Sequence, residues 1–110
     1  TRMALMRSLL LLSVLLIACG DAATSSVAGD PPPGIGEAIF NGQCATCHGR
    51  KGDMGLNGAK DLRASTLTRE EAIAVVTDGR GLMMPYKAQL TKKEIAAVVD
   101  HVLTLRAKAE

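Results

Sequence analysis

The motif Cys44-Ala-Thr-Cys47-His48 constrains this chain more than any other feature of its sequence. The pattern C-x-x-C-H is the signature of covalent haem attachment. On a helix, cysteines three positions apart lie about one turn apart on one face, so their sulfurs can each reach a vinyl group along one porphyrin edge. His48 then follows over the ring face, where one imidazole nitrogen can ligate iron while the other donates a hydrogen bond. The motif predicts one covalent haem c.

Three other uses of the motif compete with haem attachment. A Cys-x-x-Cys redox pair usually opens a helix after a strand, and no β-α-β pattern is visible. A zinc site needs four ligands, but only the distant His101 can join the motif if Cys19 serves elsewhere. A Cys44–Cys47 disulfide leaves His48 without a role. Composition favours haem, because a small domain with one Phe, one Tyr and no Trp needs a bound group to complete its core.

The second iron ligand is expected from the Met83-Met84 pair. A neutral thioether is a soft ligand that suits both ferrous and ferric iron and raises the reduction potential. Pro85 favours an extended backbone in the residue before it, so we predict that Met84 is the ligand. The alternatives are that Met83 ligates while Met84 packs, or that Met54 ligates from the loop after the motif. His101 is interpreted as structural.

The first third of the chain is typical of an export signal followed by a linker. A short basic start precedes an apolar run over residues 8–18, which is shorter than the roughly 20 residues a membrane span needs. Leu16-Ile17-Ala18-Cys19 resembles the bacterial lipoprotein cleavage box, in which the cysteine becomes the new N-terminus and carries the lipid. We predict that residues 1–18 are a removed signal peptide and that Cys19 is lipidated. Cleavage nearby by an ordinary peptidase, or an uncleaved apolar anchor with an incidental thiol, remain open.

Residues 19–34 are predicted to form the linker between the lipid and the folded domain. Small and polar residues make its first part flexible, while the prolines at 31–33 make its end stiff and extended. In enteric-type bacteria an Asp directly after the lipidated cysteine marks retention in the inner membrane, so Asp21 hints at that location.

Residues 35–110 are predicted to form an all-α domain of three to four short helices around the haem. A helical stripe covers 35–47, and a glycine-rich loop follows over 50–60. Two capping boxes, Thr68 with Glu71 and Thr91 with Glu94, predict the starts of the second and third helices. The last helix has an apolar stripe and an opposite polar face, formed respectively by Ile95, Val98, Val99, Val102 and Leu103 and by Lys92, Lys93, Asp100 and Arg106.

Residues 35–106 resemble class I cytochrome c of the small bacterial type. The resemblance rests on Gly36, Phe40, the haem motif, Gly81-Leu-Met-Met-Pro-Tyr86, and Gln89-Leu90-Thr91 before a Glu-Ile-Ala-Ala-Val-Val helix. It implies that the first and last helices cross near Gly36 and Phe40 and wrap a haem whose edge is partly exposed. Two positions depart from the pattern: many relatives have an aromatic residue near His101, and many have a proline in the loop around 58–60.

The resemblance implies a monomeric electron carrier rather than an enzyme. Its implied partners are a quinol-oxidising complex and a terminal oxidase or reductase, reached from the periplasmic face of the inner membrane through the lipid anchor. A haem-based sensor or small peroxidase with a labile Met84, and a fixed subunit of a larger membrane oxidoreductase, are the alternatives. Without the two arginines of the signal segment, 11 basic residues face 11 acidic ones, so a nucleic-acid partner has little support.

Overall fold

The computed structural model describes residues 29–108, which form helices joined by loops and contain no β-strand. The predicted signal peptide, Cys19 and the linker up to residue 28 lie outside the described residues, as do residues 109 and 110. No helix in the described range is long and apolar enough to cross a bilayer. The all-α fold class predicted from the sequence is confirmed.

The first helical region is not one continuous α-helix. Helix α1 spans Ile35–Ile39 and helix α2 spans Ala45–His48, while the intervening Phe40–Cys44 forms a π-helical turn. The backbone N–H of Ala45 donates to the carbonyl oxygen of Phe40, five residues earlier, which closes the wide turn. Such single π turns occur often at functional sites, and this one ends on the first cysteine of the motif.

Two longer helices complete the described fold, and their starts follow the predicted capping boxes. Helix α3 spans Arg69–Asp78 and helix α4 spans Lys92–Ala107, with a short 3₁₀ turn at Leu56–Gly58 in the loop before α3. The Thr91 hydroxyl accepts from the Glu94 backbone N–H at 3.2 Å, and the Glu94 carboxylate accepts from the Thr91 N–H at 2.7 Å. The same reciprocal pair precedes α3. Each box satisfies two N–H groups that a helix start leaves unpaired, so both helices begin where the sequence predicts.

The first and last helices cross where Gly36 meets the backbone of Ala97. A Cβ placed on Gly36 would collide with the Ala97 carbonyl group, so only glycine permits this approach. One turn further along, Phe40 is fully buried against Val98. The ring of His101 packs on Phe40, with centroids 5.1 Å apart. The predicted crossing is therefore confirmed. The imidazole ring of His101 packs on Phe40 near the position where many relatives have an aromatic residue.

Three positions of α4 differ from the predicted pattern. Leu105 is buried, whereas Leu103 is only half-buried. Arg106, predicted on the solvent face, is half-buried and donates hydrogen bonds to the loop before α3. The cause is that the loop carrying Gly52 and Leu62 packs on this side of α4, with Leu62 in the cluster around Leu105. The apolar stripe of one helix, taken from its sequence alone, does not show that a distant loop packs against that helix.

Candidate haem-binding site

The two cysteines of the motif lie at the junction between the π turn and α2. Cys44 ends the π turn and Cys47 lies in α2; both are half-buried and neither forms a disulfide. Burial raises the pKa of the Cys44 thiol to about 11. A Cys-x-x-Cys redox pair needs the opposite shift, because it reacts through a thiolate of lowered pKa. The environment of Cys44 therefore argues against a redox pair, and the disulfide alternative finds no support in the geometry.

The imidazole of His48 has one nitrogen committed to the protein. Its Nδ1 lies 3.0 Å from the backbone carbonyl oxygen of Lys60. Because a carbonyl oxygen can only accept, Nδ1 is the donor, and in the neutral imidazole the lone pair then lies on Nε2. A neutral imidazole with a hydrogen-bonded Nδ1–H is the usual state of a metal-ligating histidine. The arrangement fits His48 as an iron ligand through Nε2.

The loop after the motif turns back on itself to bring Lys60 to His48. Gly49 and Gly52 have positive φ angles, of 77° and 81°, and the Met54 N–H donates to the His48 carbonyl at 2.9 Å. Further on, the Leu62 N–H donates to the Gly52 carbonyl at 2.8 Å. The carbonyl partner is thus in place although the loop lacks the proline found in many relatives.

The loop between α3 and α4 presents the methionine pair. Reciprocal backbone hydrogen bonds of 3.0 Å join Arg80 and Met83, and the Tyr86 N–H donates to the carbonyl of Val76 in α3 at 3.0 Å. Met83 packs against the buried cluster of Tyr86, Leu90 and Ile95. Met84 is 52% exposed. Because Met83 is packed and Met84 is exposed, Met84 is the better candidate for contact with a bound group.

The Tyr86 hydroxyl connects the methionine loop with the motif. It donates to the Gln43 carbonyl, the residue before Cys44, over 3.4 Å. Burial raises the pKa of Tyr86, so the phenol stays protonated and remains a donor at neutral pH. The Tyr86 contact was not predicted, and the resemblance implied a carbonyl partner for His48 in the loop around 58–60 without identifying Lys60. A backbone acceptor leaves no trace in the side-chain sequence, and the Tyr86 bond depends on how two distant loops meet.

The surroundings of the motif fit a flat apolar group. The four large hydrophobic side chains that stay exposed in the described range lie in two loops, the one after the motif and the one between α3 and α4: Met54, Leu56, Leu82 and Met84. Leu82 is 89% exposed. Within residues 29–108, no three His, Cys, Asp or Glu side chains are arranged to hold a metal ion by themselves, as the zinc alternative requires. Two half-buried thiols, an imidazole whose Nδ1 is hydrogen-bonded and exposed apolar side chains together fit a porphyrin.

The fold and the site define a small all-α protein that carries a covalent haem, and comparison with known proteins agrees. Residues 32–102 match the family model described as cytochrome c oxidase, cbb3-type, subunit III. Cytochrome c6 of Leptolyngbya boryana is 38% identical over 74 residues, covering 62% of this chain and 86% of the relative. Cytochrome c6 of Microcystis aeruginosa is 34% identical, covering 62% and 90%. A cytochrome c6-like protein of Nostoc sp. is 39% identical, covering 62% and 66%.

The chain belongs to the class I cytochrome c family, with a single haem. Its cofactor is one covalently bound haem c. It is an electron-transfer protein rather than an enzyme, and its partners are redox proteins. The family predicted from the sequence is thereby confirmed.

Proposed function

We propose that this protein is a membrane-tethered electron carrier in which Cys44 and Cys47 hold the haem while His48 and Met84 ligate its iron. The observation that carries the proposal is the 3.0 Å hydrogen bond from His48 Nδ1 to the Lys60 carbonyl, which leaves Nε2 free for a metal. The exposed Met84, in a loop fastened to α3, supports it. When bound, the haem supplies a one-electron Fe(III)/Fe(II) couple.

The cysteines fix the cofactor by an addition that needs no oxidant. Cys44 and Cys47 would each hold the group through a thioether, formed by addition of S–H across a vinyl C=C bond. Two such bonds keep the haem in a domain with few large core side chains.

His48 and Met84, as the two iron ligands, would restrict the iron to electron transfer. With His48 and Met84 both bound to the iron, no coordination position would be left for a small molecule. Nδ1–H of His48 holds its ring in one orientation, and Pro85 keeps Met84 off helical geometry. No bond of a substrate is made or broken, so the function is transient docking and transfer of one electron.

The proposed tether runs from a lipidated Cys19 to the start of α1. In the described part of this segment, Asp30 pairs with Lys93 at 2.9 Å, and the Ile35 N–H donates to the Pro32 carbonyl. The last linker residues therefore lie along the domain, and the proposed movable part is residues 19–29. At roughly 3.3–3.6 Å per residue this spans up to about 40 Å. Confinement to the membrane surface raises the effective concentration of membrane-bound partners.

We further propose that the carrier works on the periplasmic face of the inner membrane, between a quinol-oxidising complex and a terminal oxidase or reductase. The lipoprotein-like box at Cys19 and Asp21 supports this location. A second candidate is a fixed subunit of a larger membrane oxidoreductase, favoured by the family model whose description names an oxidase subunit. The similarity to cytochromes c6 across most of their length favours the independent carrier.

The lipid tether, and the choice between an independent carrier and a fixed subunit, are tested on the full chain extracted from membranes with mild detergent. The carrier predicts a monohaem protein that elutes alone with the mass of a lipid on Cys19, and a haem-containing Cys19→Ala variant in the aqueous fraction. Wild-type protein that elutes only with stoichiometric partners supports the fixed subunit instead. Wild-type protein that lacks lipid and leaves the membrane without detergent contradicts the tether.

A further inference from the structure

Arg106, on the last turn of α4, is fastened to the loop before α3 by three hydrogen bonds. Its guanidinium donates to the Leu67 carbonyl at 2.7 Å, to the Ser65 hydroxyl at 3.0 Å and to the Leu62 carbonyl at 3.3 Å. No carboxylate in residues 29–108 forms a salt bridge with it. A planar fork with several donors is suited to such divergent acceptors, and a lysine is not.

The loop that Arg106 fastens is the one that supplies the partner of His48. Lys60 lies two residues before Leu62, and Leu62 is held from both sides: its N–H donates to Gly52 and its carbonyl accepts from Arg106. Arg106 thus acts on the segment whose Lys60 carbonyl accepts from His48 Nδ1 at 3.0 Å. The chain of contacts runs from α4 through the loop to the imidazole.

This loop is held partly by contacts within itself, including the Arg63–Asp53 ion pair at 2.8 Å and the bond from the Leu62 N–H to the Gly52 carbonyl. No proline occurs between residues 33 and 85. Asn57 has a φ of 55°, and the neighbouring Gly55 and Gly58 also have positive φ angles. Glycines gain much conformational entropy when they are released, so contacts from outside the loop add to the internal ones in fixing the Lys60 carbonyl. The Arg106 guanidinium makes three of them.

We propose that Arg106 is a positioning residue for His48. By holding the loop it keeps the Lys60 carbonyl in line with Nδ1–H, which fixes the imidazole orientation and makes Nε2 a stronger donor to iron. A stronger donor favours the ferric state, so Arg106 lowers the reduction potential of the protein. This inference rests on the proposed role of His48 as the proximal ligand.

The test compares Arg106→Lys with Arg69→Lys in the haem-loaded protein. Arg106→Lys keeps the positive charge but removes the planar guanidinium and its several N–H donors. Arg69→Lys is the matched control, because Arg69 makes an exposed two-point contact with Asp100 of α4 and its side chain forms no hydrogen bond or ion pair with a residue of the loop. The measurements are the reduction potential and, by NMR of the reduced protein, the exchange of the His48 Nδ1 proton with solvent.

We expect Arg106→Lys to increase the reduced-to-oxidised ratio at a fixed ambient potential by about three- to tenfold, where tenfold is about 59 mV for one electron. His48 Nδ1–H should exchange faster in the same variant, and Arg69→Lys should leave both quantities unchanged. Ser65→Ala removes one acceptor of Arg106, together with the longer 3.4 Å bond from the Leu67 N–H, and should shift both quantities in the same direction by less. This variant keeps the test open if Arg106→Lys folds poorly.

Three results would overturn the inference or its basis. If Arg106→Lys loses stability but keeps the wild-type potential and exchange rate, Arg106 is only structural. If Arg106→Gln lowers the potential while Arg106→Lys matches the wild type, the charge acts directly and positioning is refuted. Wild-type protein in which the His48 ring protons lack the large ring-current shift of an iron ligand refutes the ligand assignment itself, separately from Arg106.

Discussion

Replacing Gly36 by alanine should destabilise the protein even though alanine is the better helix former. The added Cβ would lie 2.6 Å from the carbonyl carbon of Ala97 and 3.2 Å from the N of Val98. These are backbone atoms, so neither can rotate away, and α1 must move off α4. The shift also loosens Phe40, which is fully buried one turn further on.

The expected size follows from two opposing terms. Overpacking a close contact costs about 1–3 kcal/mol, with backbone partners toward the upper end, while Gly to Ala in a helix returns up to about 1 kcal/mol. We expect a net loss of about 1–2 kcal/mol. Since 1 kcal/mol corresponds to roughly 4–8 °C in a domain of this size, the melting temperature should fall by roughly 4–16 °C.

Gly42→Ala is the matched control for this prediction. A Cβ on Gly42 meets nothing within 4 Å, and its φ is not positive, so the substitution should stabilise the protein by up to about 1 kcal/mol. Thermal and guanidinium unfolding of both haem-loaded variants, followed by far-ultraviolet circular dichroism, give the two values. An increase in stability for Gly36→Ala equal to that for Gly42→Ala would refute the close crossing of α1 and α4.

Two further predictions concern the methionine pair and the start of α4. Met84→Ala should remove the ferric iron–thioether charge-transfer band, lower the potential and let the ferrous protein bind carbon monoxide, whereas Met83→Ala should change the band little; the reverse pattern would exchange the two roles. Thr91→Ala should cost about 1 kcal/mol in chemical unfolding, as loss of an N-cap does. Hydrogen bonds from Thr91 hold the pKa of Glu94 below its ordinary value of 4.5, so the stability this carboxylate contributes is complete above that pH and is lost as the pH falls through the lowered pKa. Glu94→Gln should therefore be less stable than the wild type near neutral pH and approach it in acid, and a constant difference across the range would contradict this.

The features predicted correctly from the sequence are those that a few neighbouring residues determine. The capping boxes at Thr68 and Thr91 specify their own hydrogen bonds, so the starts of α3 and α4 follow from local sequence. The haem motif predicts the cofactor because its chemistry needs two thiols and an imidazole at one spacing. The close approach at Gly36 came from resemblance to a family, and the backbone of Ala97 explains it physically.

The features that were missed depend on how distant segments meet. Arg106 was placed on the solvent face because helical periodicity does not show that the loop over 62–67 packs there. The π turn at Phe40–Cys44 was not predicted, since Gly42 weakens a helix without specifying a wider turn. The Lys60 carbonyl is a backbone group that any residue would supply, so only the course of the loop assigns it to His48.

The most direct test of the account is whether the haem remains on the polypeptide after denaturation in acidified organic solvent. The account predicts that the colour stays with the protein and that the intact mass exceeds the polypeptide by one haem. It also predicts that the double variant Cys44→Ser, Cys47→Ser releases its haem under the same treatment. A wild-type protein that loses its colour to the solvent and retains only the polypeptide mass would contradict the central claim.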